Sequence, residues 1–84
     1  MKTYIFRVVI ESDNKEDGTK AYHAFCPVLK GCHSWGYTTE EALANIKEAV
    51  EAYVEDLIKA GEPIPSAAPQ EVEVRQEPVV AVTV

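Results

Sequence analysis

The first residues alternate apolar and polar side chains at a period of two, which is the pattern of a half-buried β-strand. The apolar face of residues 4–11 consists of Tyr4, Phe6, Val8 and Ile10. After a polar loop with the turn signal Asp17-Gly18, residues 20–26 predict a second strand that pairs with the first in a hairpin. Pro27 ends that strand because proline cannot donate to a ladder. Residues 32–35 predict a short third strand.

A long amphipathic helix is the clearest element of the pattern. Thr38 is a suitable N-cap, and Glu41, three residues later, completes a capping box. Gly61 and Pro63 end the periodic region, so we predict a helix over about Thr39–Ala60. The apolar stripe of this helix consists of Leu43, Ile46, Val50, Tyr53 and Leu57.

The region after the helix is extended. Residues 62–70 form a proline-rich connector, and residues 71–75 alternate as a strand does. Residues 79–84 are apolar, and they either continue that strand past Pro78 or return as a hairpin. The predicted fold is therefore α+β with the order β-β-β-α-β. A right-handed return through the helix places the last strand parallel to the first, in strand order 3-2-1-4, with the helix on one face.

Size and charge narrow the classes of function. The chain has 84 residues, which suffices for one small domain spanning residues 1–84. Its net charge of −6, from 8 basic and 14 acidic residues, argues against direct binding of nucleic acid. The same charge permits docking to a basic protein, although ordinary solubility explains it equally well.

The cysteines and the absence of a long apolar run indicate a reduced, cytoplasmic protein. Cys26 and Cys32 are predicted to be free thiols. No apolar signal segment follows Met1. The longest uncharged run, residues 21–29, is far too short to span a membrane, so we expect no membrane association.

Three segments together resemble the HicB family. The first is the turn Cys26-Pro27-Val28-Leu29-Lys30-Gly31-Cys32. The second is Gly36-Tyr37-Thr38-Thr39-Glu40-Glu41-Ala42 at the helix start, and the third is Gly61-Glu62-Pro63-Ile64-Pro65 after the helix. The similarity runs from about Phe6 to Pro65. No single segment is specific for the family, but the three segments together are. The motif residues expected to serve the structure are Pro27, Gly31, Gly36, Thr38, Glu41 and Ala42.

The resemblance implies a truncated ribonuclease-H-like fold and an antitoxin role. Members of the family bind a small basic RNA-cleaving toxin of the HicA type and block it. Many carry a second, DNA-binding domain after the last strand, and solitary members without a toxin also exist. Only residues 79–84 follow Pro78 here, so we expect no C-terminal DNA-binding domain in this chain.

Catalytic residues, metal ligands and cofactors are not expected. A nuclease of the ribonuclease-H type needs several carboxylates around divalent metal ions. The first strand offers only Glu11 at its end, and Glu71 and Glu73 are the acids of the last strand. The other candidate ligands match no usual zinc spacing and lack a third group to orient a nucleophile. These residues are Cys26, Cys32, His23 and His33.

The acidic face of the helix and a single tryptophan are the candidate partner-binding features. Glu41, Glu48 and Glu55 recur every seven residues, and Glu51 lies beside them. This face is either ordinarily solvated or docks a basic toxin. Trp35 is either part of the core or an exposed anchor for a partner.

Three functional hypotheses follow. The first is a non-catalytic antitoxin-like module that masks a HicA-type toxin. The second is a solitary homo-oligomer, a dimer or tetramer, because Ile5 and Val9 make the second sheet face half-apolar and residues 79–84 are uncharged. The third is a cryptic metal-dependent nuclease whose activity would be lost on Glu11→Gln.

Overall fold

The computed structural model describes residues 3–65 and 78–83. Their elements, in chain order, are β1 (Thr3–Arg7), β2 (Val9–Ser12), β3 (Tyr22–Phe25), β4 (His33–Gly36), α1 (Thr39–Ala60) and β5 (Val79–Thr83). The predicted strand over residues 71–75 and most of the predicted connector lie outside the described residues. No helix in the described part of the chain is long and apolar enough to cross a membrane.

The first predicted strand is present as two consecutive strands, because its two halves pair with different neighbours. β2 pairs antiparallel with β3, which in turn pairs antiparallel with β4. β1 pairs with β5, and Val8, between the two halves, donates its N–H to the carbonyl of Pro78 at 3.0 Å. The ladder partner therefore changes at Val8, and the α+β class predicted from the sequence is confirmed.

The direction of the last strand differs from the expectation. β5 runs antiparallel to β1, with Phe6 opposite Val80 and Tyr4 opposite Val82. A tight return through one helix would give a parallel strand. Here the 18 residues of segment 61–78 separate α1 from β5, which is enough chain to reach either end of β1. The length of this connection leaves the direction of the strand open.

The two ends of α1 lie where the capping residues predict. The Thr38 hydroxyl accepts a hydrogen bond from the Glu41 N–H at 3.0 Å. The Glu41 carboxylate reaches back to the N–H of Tyr37 at 3.4 Å, one residue before the position that a standard capping box uses. At the other end Gly61 adopts φ 70°, and the N–H groups of Gly61 and Glu62 bond to the carbonyls of Ile58 and Leu57. This pair of bonds is a Schellman motif, which satisfies carbonyls that the helix leaves unpaired.

The core lies between α1 and the inner faces of the strands. The helix buries Ala42, Ile46, Val50 and Val54 completely, at a spacing of four. Leu43, Tyr53 and Leu57 of the predicted stripe lie beside this line and are half-buried. The apolar side of the helix is therefore confirmed, but its most buried row runs through Ala42 and Val54, which the predicted stripe leaves out. Opposite the helix, the strands bury Phe6, Ala24, Val80 and Val82, and Val8, between β1 and β2, is buried with them.

The helix backbone lies almost directly on β4. A Cβ atom built on Gly36 would lie 2.8 Å from the Glu41 carbonyl carbon and 2.9 Å from the Ala42 Cα, and closer still to the Ala42 nitrogen. Gly36 does not have a left-handed φ, so close approach and not backbone conformation requires glycine here. Gly36 and Ala42 of the helix-start motif are thus the two sides of one tight contact.

Candidate functional site: the outer face of the sheet

The β2–β3–β4 sheet has one face on α1 and one face turned away from it. Ala24 is fully buried on the inner face, and strand alternation puts its neighbours on the other. We call this second surface the outer sheet face. Its side chains, in cross-strand register, are Val9, Phe25 and His33 in one row and Glu11, His23 and Trp35 in the next.

Four rings on the outer sheet face form a contiguous cluster. The centroid of His23 lies 4.8 Å from that of Trp35, 5.4 Å from that of His33 and 5.6 Å from that of Phe25. His33 meets Trp35 edge to face at 4.8 Å. Offset and edge-to-face pairs at these distances are favourable beyond simple burial. The sheet thus presents a preformed aromatic surface.

Two carboxylates border this ring cluster. Glu11 Oε1 lies 3.1 Å from His23 Nδ1, and the indole N–H of Trp35 donates to Asp13 Oδ2 at 3.0 Å. The Glu11 side chain keeps 56% of its surface exposed. Trp35 itself is 47% exposed, so of the two possibilities for this residue the exposed one is correct.

A hydrogen bond from a helix side chain to the backbone of Trp35 holds β4 against α1. The side-chain amide of Asn45 donates to the Trp35 carbonyl at 2.7 Å. Tyr37, the residue directly after β4, has the Lys15 ammonium 4.8 Å from its ring centroid, and Lys15 also donates to the Tyr37 hydroxyl at 3.0 Å. The chain therefore already places a cation on an exposed aromatic ring two residues from Trp35.

The five residues predicted to bind a partner do not form one surface. Glu48 and Glu55 are exposed on the solvent side of α1, and Glu51 beside them is half-buried. Glu41 is exposed as well, but its carboxylate takes part in the helix N-terminus through the Tyr37 N–H. Trp35 lies on the outer sheet face, on the opposite side of the sheet from α1. The structure thus offers two separate candidate surfaces.

The two cysteines flank the turn between β3 and β4. Both are free, as predicted, and both are buried; the Cys26 N–H donates to the Cys32 carbonyl at 3.0 Å. Burial raises the pKa of the Cys26 thiol and that of the Cys32 thiol, and the neighbouring Cys26 raises the pKa of Cys32 further. A raised pKa keeps a thiol protonated and unreactive at neutral pH.

We expect iodoacetamide at pH 8 to alkylate Cys26 and Cys32 at least about 100-fold more slowly in the native protein than in urea, because reaction requires opening of the turn. Mass spectrometry of timed samples gives both rates. Since each thiol titrates only above its ordinary pKa, the native rate should still be rising with pH in the range where the rate in urea levels off. Equal rates in both conditions would contradict the burial of these side chains.

The described residues contain no group of three or more His, Cys, Asp or Glu side chains placed to hold a metal ion. Glu11, the acid that a nuclease would use, is hydrogen bonded to His23 on the outer sheet face. Glu71 and Glu73 lie outside the described residues.

The fold and the exposed ring cluster define a small α+β domain with a structured aromatic surface. Comparison with known proteins places it more narrowly. The model of the family described as HicB_like antitoxin of bacterial toxin-antitoxin system matches residues 6–81. This match covers most of the chain, and the protein belongs to that family. The family indicates a non-enzymatic role and membership of a toxin–antitoxin system.

Relatives and solved structures agree with this assignment. A UPF0150 protein of Synechocystis sp. is 53% identical over 62 residues, which are 74% of this chain and 73% of the relative. A UPF0150 protein of Thermoplasma acidophilum is 45% identical over 69 residues, 82% of this chain and 94% of the relative. Both identities are high enough to imply a shared fold.

Two solved structures of one antitoxin resemble this domain. The N-terminal domain of Burkholderia pseudomallei antitoxin HicB aligns with a TM-score of 0.65 and 29% identity, over 95% of this chain and 96% of that domain. The whole Burkholderia pseudomallei antitoxin HicB aligns with a TM-score of 0.56 and 26% identity, over 100% of this chain. This chain spans 64% of the length of that antitoxin.

The sequence pattern indicated Trp35 and Glu11 but not their neighbours. Asp13 lies in the predicted loop, and the sequence presents His23 and His33 only as candidate metal ligands or as partners of a cysteine nucleophile. One signal in the sequence could have revealed the cluster. In each of the pairs 11 and 13, 23 and 25, and 33 and 35, the two residues are two positions apart, so on a strand both side chains point to the same face. Using it requires the cross-strand register, which the turn lengths alone do not set.

Proposed function

We propose that the protein is an antitoxin module that binds a small, basic, HicA-type RNA-cleaving toxin and masks it without catalysing a reaction. The observation that carries this proposal is membership of the antitoxin family over residues 6–81. The similarity to the whole Burkholderia pseudomallei antitoxin HicB supports it, since 100% of this chain aligns with 64% of that antitoxin.

The charge of the molecule supports a basic partner. The net charge is −6, and the solvent side of α1 exposes Glu41, Glu48 and Glu55 with Glu51 half-buried beside them. Opposite charge on two proteins speeds their encounter and disfavours partners of like charge. An RNA-cleaving protein needs a basic surface for its substrate. An acidic antitoxin that covers this surface blocks the enzyme by occupying the place of RNA.

The test is capture of the partner followed by inhibition. Tagged full-length protein is recovered from its native host in moderate salt, and bound proteins are identified by mass spectrometry. We expect a small basic protein in near-equal amount. That protein, purified alone, should cleave RNA, and addition of one equivalent of the antitoxin should abolish cleavage. The antitoxin alone is assayed in parallel for any cleavage of its own.

Charge-reversed variants locate the contact on the helix. Glu48→Lys with Glu55→Lys should weaken inhibition of the captured RNase by about tenfold or more, because rim and interface charges of the wrong sign are costly. Glu16→Lys with Glu62→Lys, at exposed positions, makes the same change in net charge and serves as the control. An equal effect of both pairs would assign the attraction to net charge, and inhibition unaffected by either pair would reject the helix face.

Self-association without a toxin is the competing function, and one observation favours it. Ile5 is 65% exposed and Val79 54% exposed on neighbouring strands β1 and β5. Exposed apolar side chains on a sheet commonly contact another chain. Recovery of the protein alone, as a dimer or tetramer by light scattering, would reject the toxin-binding proposal. Recovery of a near-equal basic RNase that the protein fails to inhibit would reject masking.

A further inference from the structure

One corner of the outer sheet face combines an exposed indole with two carboxylates. The Trp35 ring is fixed on one side by His23 at 4.8 Å and at its N–H by Asp13. Glu11, in the same cross-strand row, lies on the far side of His23. We call Glu11, Asp13, His23 and Trp35 the carboxylate–tryptophan site. The Trp35 ring is half-exposed and already held in one orientation, so binding of a ligand loses little side-chain entropy at this residue.

The chemistry of this site fits a guanidinium group better than other ligands. Guanidinium is planar, stacks on the face of an indole, and directs N–H groups from its edge to carboxylates. Asp13 uses Oδ2 for the indole N–H, but a carboxylate can accept about four hydrogen bonds, so acceptor capacity remains. An ammonium group gains the charge attraction but not the stacking. Lys15 against Tyr37 shows that this sheet edge tolerates a cation on a ring.

We propose that the carboxylate–tryptophan site binds an arginine side chain of a basic protein partner. This inference rests on the proposed antitoxin function and adds a second contact, on the opposite side of the sheet from the acidic helix face. Charge complementarity supports it: Asp13 is bonded to the exposed indole and Glu11 to the adjacent His23, on a chain of net charge −6. Trp35 is the anchor, and the two carboxylates select the cation.

Trp35 reports directly on this contact, since it is the only tryptophan of the sequence. The full-length protein is titrated with a short oligo-arginine peptide while tryptophan emission is recorded at low and at moderate salt. We expect a saturable change in emission, with half-saturation at about tenfold lower peptide concentration than for an oligo-lysine peptide of equal length. An oligo-glutamate peptide should leave the emission unchanged. Equal half-saturation by the lysine and arginine peptides would overturn the proposal.

Matched variants separate the site from general attraction. Glu11→Gln with Asp13→Asn removes two charges but keeps an oxygen for His23 and for the indole N–H, so the fold is expected to persist. This pair should weaken arginine-peptide binding by about tenfold. Asp56→Asn with Glu62→Gln removes two exposed charges near the end of α1 and should change binding less than about twofold. Equal weakening by both pairs would overturn the proposal.

The captured partner distinguishes this inference from the proposed function. If the partner RNase is inhibited equally well by wild type and by Glu11→Gln with Asp13→Asn, the arginine contact is wrong while the antitoxin function stands. If no RNase is captured, the antitoxin function fails regardless of the peptide result. Loss of inhibition in this pair, with folding confirmed by circular dichroism, supports both.

Discussion

Gly36→Ala is expected to lower the free energy of unfolding by about 3 kcal/mol, at the upper end of the cost of overpacking. The added Cβ would overlap the backbone of α1 at Glu41 and Ala42, and backbone cannot rotate aside as a side chain can. The helix would have to move away from β4, loosening contacts along the line from Ala42 to Val54. Urea unfolding followed by far-UV circular dichroism measures the change.

The matched control is Gly18→Ala. Gly18 has φ 87° and open space around the position of a Cβ, so alanine there suffers backbone strain of about 1 kcal/mol and no collision. A loss at Gly36 no larger than that at Gly18 would contradict the close approach of α1 to β4. A small domain has a total stability of roughly 4–12 kcal/mol, so a loss of this size leaves Gly36→Ala folded but markedly weaker.

The helix could be predicted from sequence to the residue because both of its ends are set locally. Thr38 and Glu41 satisfy N–H groups within four residues of each other, and Gly61 takes the left-handed conformation that ends the last turn. Such interactions depend on spacing alone. Which row of the helix is most buried does not depend on local sequence alone. Val54 is fully buried although the predicted stripe omits it, because the packing of the helix on the sheet decides which row is central.

The direction of β5 could not be predicted in the same way. Its partner is β1, more than seventy residues earlier, and the pairing depends on the path of a connection that carries no local signal of direction. The alternation in residues 79–83, with Val80 and Val82 buried, predicts only that a strand has an inner face. Chain handedness constrains crossovers between parallel strands, and the 18 residues of segment 61–78 are enough chain to bring β5 back in either direction.

The candidate site was predicted only in part for a related reason. An exposed Trp35 and a core Trp35 give the same sequence pattern, since a four-residue strand contains too few alternations to decide the face. The position of Gly36 decides between the two. The Cα of Gly36 packs on the helix backbone, so strand alternation directs the side chain of its neighbour Trp35 to the opposite face. The tight contact that shapes the core therefore also presents the aromatic surface.

Leu29→Ala is expected to cost about 3 kcal/mol, within the range of buried leucine truncations. Leu29 lies in the turn between β3 and β4 and is only 1% exposed, so the turn is held to the core by this side chain. Its backbone also accepts from the Cys32 N–H and donates to the Cys26 carbonyl. Urea unfolding gives the loss, and Lys30→Ala, at an exposed position of the same turn, should change stability by less than about 0.5 kcal/mol.

The same variant tells whether the turn opens alone or with the whole domain. If the turn opens locally, Cys26 and Cys32 should become reactive in Leu29→Ala while the emission of Trp35 stays native. If opening is global, thiol reactivity and Trp35 emission should change together along the urea curve. A loss below about 1 kcal/mol would contradict the role of Leu29. Because His33 and Trp35 follow this turn on β4, opening that spreads beyond the turn also displaces the ring cluster, and arginine-peptide binding should then fall together with the native Trp35 emission.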